Sequence, residues 1–348
     1  MALRIGFLGA GGRGHVHAAA YLSLLEEARP AAVADLVESK RRDFARAFPS
    51  VAATYGPYEA MLDGEALDVL HIATQPDVRA EPVVHAAQRG VPVIVVEKPV
   101  ARSIGELDAM LDACSRSGSR LIINHQLRYQ TNWIRLREAV ESGRLGRVEK
   151  VSAYCRGNLL AQGTHLLDLV ASMLPGARAV RATALVYGLS DFSTSHPSPN
   201  HAVGVLVFDN GVRCDVEIGV DGPEIADEGF WLMFGMRVWG RAGHAETSLG
   251  KGYRIWTKGD SDWSGETIGY GVQDAAAQTE FSRDVLRAAR DAAFRHPCDA
   301  RAGRVSFEWI EALCLSSLRG APVPLPIGPG ESGLAALSEK ARESTPGR

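Results

Sequence analysis

The stretch GFLGAGGRG, residues 6–14, constrains the fold more than any other part of the chain. It supplies G-x-G-x-x-G as Gly9, Gly11 and Gly14, after an apolar run (LRIGFLG, 3–9) and before a helical pattern (HVHAAAYLSLLEE, 15–27). Alone the motif is weak, and a glycine-rich turn with an Asp at a helix start is the lesser reading it competes with. Between a strand and a helix it has a mechanical reason. Glycines let the backbone approach a pyrophosphate, which sits at the positive end of the helix. Gly12 and Arg13 complete the loop and are read with the three glycines as cofactor contacts. The next apolar run, AAVAD (31–35), ends on Asp35. A carboxylate there accepts from a ribose 2′-hydroxyl and repels a 2′-phosphate, which favours NAD over NADP. Arg41 and Arg42 follow one turn on and soften that preference, so NADP stays open.

The same rhythm continues through LDVLHIAT (67–74), VPVIVVE (91–97) and RLIINH (120–125), with helical patterns such as SIGELDAMLDACSRSG (103–118) between them. Strands alternating with helices mean parallel strands joined by right-handed crossovers. The unbroken hydrophobicity of VPVIVV fits a strand covered on both faces. The expected class is therefore α/β, with a Rossmann dinucleotide-binding domain over residues 1–125. A chain of 348 residues is too long for one ordinary core, so a second domain is expected over 126–348.

After residue 147 the pattern changes. RVEKVSAYCRG, RAVRATALVYG, NHAVGVLVFDNGVRCDVEIGV and GYRIWTKG read as longer strands, several of them alternating apolar with polar. Asp-Asn-Gly at 209–211 signals a hairpin, since Asn-Gly accepts the positive φ angles of a tight turn. One-sided alternation implies an α+β domain with a large, mostly antiparallel sheet, one face of which suits another subunit. Helical patterns cover 274–295 and 302–319, 188–200 reads as a loop, and 340–348 reads as a frayed tail.

Several partners are excluded by composition. A net charge of −3 gives no electrostatic footprint for nucleic acid or an anionic membrane. No apolar run approaches the about 18 residues that span a bilayer, and the N-terminus lacks the shape of a signal peptide. The 5 cysteines are scattered and never form CxxC, which argues against a disulfide framework and for the cytoplasm. The histidines at 15, 17, 71, 85, 196, 201, 244 and 296 lack metal-ligand spacing, so no metal is expected.

Ligands of open parallel sheets sit beyond the carboxyl ends of the strands. Thr74 and Gln75 follow one such end, and Glu97 and Lys98 another, so all four are expected at the cofactor. A lysine there can hydrogen-bond a substrate hydroxyl and hold the alkoxide that develops as hydride leaves. It reads equally well as a solvated strand-end residue. Pro99 offers a cis bond. His165, in LLAQGTHLLDL (159–169), reads by itself as a core histidine.

In these stretches the chain resembles the Gfo/Idh/MocA family, which includes glucose–fructose oxidoreductase, inositol dehydrogenase and the rhizopine-catabolism protein. The glycine motif, LDVLHIATQPDVRAEPVVHAAQRGVPVIVVEKPV (67–100), SGRLGRV (142–148) and LSSLRGAPVPLP (315–326) match in order, so the resemblance covers nearly the whole chain. It implies a Rossmann domain followed by an α/β domain for substrate binding and oligomerisation, whose sheet packs on another subunit in a homodimer or homotetramer. The implied activity is oxidation or reduction of a hydroxyl carbon of a sugar or cyclitol with NAD(P). The family's catalytic lysine falls on Lys98 and its catalytic histidine on His165, an imidazole suited to acid–base work near neutrality. Three positions depart from the family pattern. Ala161 replaces the usual Asp, Gln75 a common Pro, and Arg79 the His of T-P-x-x-x-H. Asp168 matches a frequent H-x-x-D position and reads as structural. Arg128, Tyr154, Arg156 and Gln162 are the polar groups expected around a polyol, and for each a surface or structural role fits as well.

Three functions follow for test. The first is an NAD(P)-dependent sugar or cyclitol dehydrogenase or reductase. The second is redox-neutral glycoside cleavage by oxidation, elimination, hydration and reduction, which some relatives perform. The third is a non-catalytic nucleotide-binding regulatory protein.

Overall fold

A computed structural model describes residues 2–222 and 229–343. Six parallel strands form the first sheet: β1 (Leu3–Leu8), β2 (Ala28–Ala34), β3 (Ala53–Tyr55), β4 (Val69–Ile72), β5 (Val93–Val96) and β6 (Arg120–Ile123). Their order is β3-β2-β1-β4-β5-β6, the doubly wound arrangement, with strand order reversing between β1 and β4. All four residues of β4 and of β5 are buried, as continuous apolar runs require. The short β3 was not among the expected strands; it pairs with the end of β2 and extends the sheet edge.

The second sheet has nine strands: β7 (Val148–Cys155), β8 (Ala179–Tyr187), β9 (His201–Phe208), β10 (Arg213–Gly219), β11 (Phe234–Gly240), β12 (Gly243–Ser248), β13 (Gly252–Thr257), β14 (Ser264–Glu266) and β15 (Val323–Pro324). Their order is β14-β13-β12-β11-β7-β10-β9-β8-β15, and every pairing except β7 with β10 is antiparallel. The hairpin between β9 and β10 turns at Gly211, whose φ of +88° answers the Asn-Gly signal. Along β7, Val151, Ala153 and Cys155 are buried, while Ser152 and Tyr154 point to the other face. That other face is open: Leu185 is 64% exposed and Val203 48%.

The chain separates into two compact units, each with its own sheet. The first comprises Met1–Ala101, Gly105–Gln126 and Ala275–Gly303. The returning segment lies beyond the single division expected after residue 125, and specific polar contacts hold it in the first unit. The Arg120 guanidinium donates to the carbonyls of Ala288, Asp291 and Phe294 at 2.8, 3.0 and 3.2 Å. Asn124 and Gln278 exchange amide hydrogen bonds at 3.2 and 3.1 Å.

Within the second unit, Lys340 to Glu343 were expected in a frayed tail but belong to helix Gly333–Glu343. Its start is fixed by Glu311, a buried carboxylate that accepts from the Leu334 N–H at 2.9 Å and from the Ser332 hydroxyl at 3.1 Å. The anion sits at the positive end of the helix, where the backbone donors are otherwise unmet. Among the described residues no helix is long and apolar enough to cross a membrane, and no cluster of three or more His, Cys, Asp or Glu could hold a metal ion.

Candidate active site

The glycine turn divides its glycines by task. Gly9 has φ +99°, and a Cβ there would stand 2.9 Å from the Ala73 carbonyl oxygen. A Cβ on Gly14 would stand 2.0 Å from the Gly9 carbonyl oxygen. These two glycines are required by the chain's own packing. Gly11 and Gly12 open the helix Gly12–Ala19, and a Cβ on either would meet nothing within 4 Å. That open space leaves the backbone accessible to a ligand. Gly14→Ala is expected to cost about 1–3 kcal/mol of stability, because the clash is with backbone. Urea unfolding measures it, and an unchanged midpoint would mean that the turn relaxes freely.

Asp35 follows β2 and lies against this turn. Its Oδ2 accepts from the Ala10 N–H and its Oδ1 from the Val37 N–H, both at 2.9 Å. Each carboxylate oxygen keeps a further lone pair for a hydroxyl. Arg41 donates to the Asp35 main-chain carbonyl, so its guanidinium is drawn to the same strand end. The Thr74 hydroxyl, after β4, is buried without a partner among the described residues. Gln75 is exposed. A dinucleotide fits this donor and acceptor set.

Glu97 departs from expectation. Rather than presenting its carboxylate to a cofactor, it is buried in a polar network inside the first unit. Its Oε1 accepts from His17 at 2.8 Å, from Asn124 at 2.9 Å and from Arg13 at 2.7 Å. Arg13, also expected at the cofactor, is thus paired with Glu97. Beyond His17 the chain of bonds runs to His71 at 3.0 Å and on to the Tyr21 hydroxyl at 2.7 Å. One consistent assignment has Tyr21 donating to His71, His71 to His17, and His17 to an ionised Glu97. Burial alone would push the Glu97 carboxyl up, but Arg13 and His17 hold it well below the usual carboxylate range. Burial lowers His17, and it lowers His71 further.

Below about pH 6.5 the unfolded chain protonates histidines that the folded chain keeps neutral, so stability falls with pH. Glu97 contributes stability above its unfolded value, and this is lost as pH falls through its lower folded value. Unfolding midpoints in urea are expected to decline from pH 7 to pH 5. His71→Leu is expected to flatten that decline, and an unchanged slope would contradict the assignment.

Lys98 is half-buried, and its backbone N–H donates to Glu97 Oε2 at 3.1 Å. The Lys98–Pro99 peptide is cis.

In the second unit, His165 lies in the first turn of helix Thr164–Met173 and is 4% exposed. The helix is preceded by a π-helical turn, Leu159–Gly163, capped by the Asn158 side chain accepting from the Ala161 N–H at 2.8 Å. Asn158 also donates to Asp191 and to the His196 carbonyl, both at 2.9 Å, so the 188–200 loop is tied to this turn. Single π-turns of this kind frequently mark functional sites. Gln162, at the end of the turn, is half-buried.

Two expected substrate groups are placed differently. Arg128 makes a forked ion pair with the buried Asp168, Nε to Oδ2 and Nη2 to Oδ1, both at 2.6 Å. Its guanidinium is engaged in holding helix Thr164–Met173. Tyr154, expected around the substrate, lies on the other face of the sheet. Residues alternate across a strand, and its neighbour Cys155 lies on the face covered by the π-turn and the helix. Tyr154 therefore projects to the open face, away from His165. Arg156 donates to the Val220 carbonyl at 2.7 Å.

Residues 3–125 match the model of an oxidoreductase family, Gfo/Idh/MocA, described as an NAD-binding Rossmann fold. The match covers the strands of the first sheet, and there the chain resembles this family. A D-xylose 1-dehydrogenase (NADP(+)) from Haloferax volcanii is 31% identical over 60% of this chain and 63% of its own length. An inositol 2-dehydrogenase from Rhizobium meliloti is 32% identical over 45% of this chain and 46% of its own. The chain thus spans less than two thirds of these curated relatives. An oxidoreductase from Agrobacterium radiobacter, solved with NAD+, L-tartaric acid and magnesium, superposes with a TM-score of 0.80 at 18% identity, covering 93% of this chain and 98% of that one. This last likeness concerns the fold, including the second sheet that lies beyond the matched Gfo/Idh/MocA domain.

Proposed function

We propose that the chain is an NAD(P)-dependent oxidoreductase that moves hydride between nicotinamide and a hydroxyl-bearing carbon of a sugar, sugar derivative or cyclitol. The observation that carries this reading lies in the first unit. An open glycine turn, a carboxylate with spare lone pairs and a half-buried lysine stand beyond the carboxyl ends of β1, β2 and β5. When bound, the dinucleotide supplies the hydride acceptor or donor. Lys98 donates to the substrate oxygen and holds its charge as the carbon–hydrogen bond breaks. His165 takes or returns the hydroxyl proton. Gln162 and Arg156 are the polar groups offered to the remaining hydroxyls, and Arg128 with Asp168 orients the His165 helix. Asp35 favours NAD, and Arg41 leaves NADP usable.

The relatives named for D-xylose and inositol support the substrate class. Self-association through the open face bearing Leu185, Val203 and Tyr154 fits a homodimer or homotetramer, and the scattered cysteines, never in CxxC, fit a cytoplasmic setting. The test is NADH and NADPH fluorescence with a panel of aldoses, uronates, anhydrosugars and cyclitols. Net cofactor reduction with one class supports the proposal. Glycoside hydrolysis that needs NAD without net NADH would replace it with the redox-neutral route. Tight dinucleotide binding with no turnover in either direction would replace it with the regulatory reading.

A further inference from the structure

Arg79 sits between β4 and helix Ala80–Gln88 and is only 2% exposed, among the largest side chains withdrawn from water. A buried cation needs acceptors, and those of Arg79 are all main-chain carbonyls. Its Nη1 donates to the carbonyl oxygens of both Glu97 and Pro99, and its Nη2 to that of Thr74. Glu97 and Pro99 are the residues on either side of Lys98. One nitrogen therefore holds the backbone before and after the lysine, while the other ties that turn to the end of β4. On its opposite flank the Glu97 carboxylate is fixed by His17, Asn124 and Arg13 and accepts the Lys98 N–H. Burial draws Arg79 down to about 10, opposed by the Glu97 charge, so the guanidinium remains a cation at neutral pH.

We propose that Arg79 is a positioning residue for Lys98, clamping the Glu97–Lys98–Pro99 turn so that the ammonium is presented at one fixed place. The inference rests on the role given to Lys98 above. A planar guanidinium suits the task because it spans three carbonyls with a rigid fork, whereas an ammonium is a single flexible point of charge. Loosening the turn displaces Lys98 from the reacting oxygen, and misplacements on the order of 1 Å cost about 100-fold in rate.

The test compares Arg79→Met, Arg79→Lys and Lys98→Met on whichever polyol of the panel is oxidised fastest. Rates are expressed per bound NADH, so that unfolded protein is not counted. Arg79→Met is expected to lower kcat by about 100-fold with KM and NADH affinity changed by less than about threefold. Arg79→Lys is expected to recover only part of that loss. If Lys98→Met is inactive and Arg79→Met keeps the wild-type kcat, the clamp is overturned and the role of Lys98 stands. If Lys98→Met turns over normally, or no polyol is oxidised, that role fails and the clamp fails with it. If Arg79→Met does not fold, Arg79→Lys decides. A roughly tenfold lower kcat at unchanged NADH affinity supports the clamp, and a wild-type kcat overturns it.

Discussion

Replacing Lys98 with methionine is expected to lower kcat by about 1,000-fold while leaving NADH affinity within about threefold. Methionine keeps an unbranched apolar stem and removes only the ammonium. The backbone contact of residue 98, its N–H on Glu97 Oε2, involves no side-chain atom of the lysine and survives the change. What disappears is the one donor proposed to hold charge on the substrate oxygen. Loss of a single preorganised donor of this kind costs about 100- to 1,000-fold in other enzymes, and loss of acid–base assistance a similar amount. The effect should fall on kcat rather than on cofactor binding, because the dinucleotide is proposed to be held by the glycine turn and Asp35. A Lys98→Met protein that turns over normally would mean that the lysine is a solvated strand-end residue. Steady-state kinetics with fluorescence titration of NADH separates the two.

The second large effect concerns stability. Asp168→Ala is expected to destabilise the protein by about 3–5 kcal/mol, read as a lower urea midpoint. The Arg128 and Asp168 side chains are 11% and 2% exposed, and both carboxylate oxygens accept from the guanidinium. Removing one partner leaves a nearly buried charge without its counterion, which costs far more than the pair contributes. The double variant Arg128→Met, Asp168→Ala tests this. It is expected to be more stable than Asp168→Ala alone, because no uncompensated charge remains. Equal instability of the single and double variants would show that packing, not charge, dominates at this position.

These residues also illustrate what a sequence can and cannot display. The doubly wound sheet was legible because VPVIVV and LRIGFLG are continuous apolar runs and because the glycine motif has one mechanical use. β3 was not, since Ala53–Tyr55 is only three residues long and none of them is buried. The face of Tyr154 was available from the alternation of VSAYC in β7, where Val151, Ala153 and Cys155 form the apolar set. Its proximity in sequence to the His165 helix concealed that signal. The Arg128–Asp168 pair joins positions 40 residues apart, and the Glu97 network joins His17, His71 and Asn124 from separate strands and helices. No local period encodes such pairs; the Glu97 network arises because parallel strands bring distant segments to one sheet, and the Arg128–Asp168 pair because a short turn meets a helix. Arg79 marked itself only by being an arginine where the family carries a histidine. Its reach to the carbonyls flanking Lys98 follows from β4 and β5 being neighbours.

The central claim is that hydride passes between nicotinamide and a carbon of the polyol. The measurement that tests it most directly is mass spectrometry of the product formed from NADH carrying deuterium at C4, on either face, with the keto form of the preferred polyol. The account predicts product heavier by one deuterium from one labelled face only, with none incorporated by Lys98→Met on the same timescale. NADH consumed without deuterium in the product, or product formed unlabelled from both faces, would contradict it.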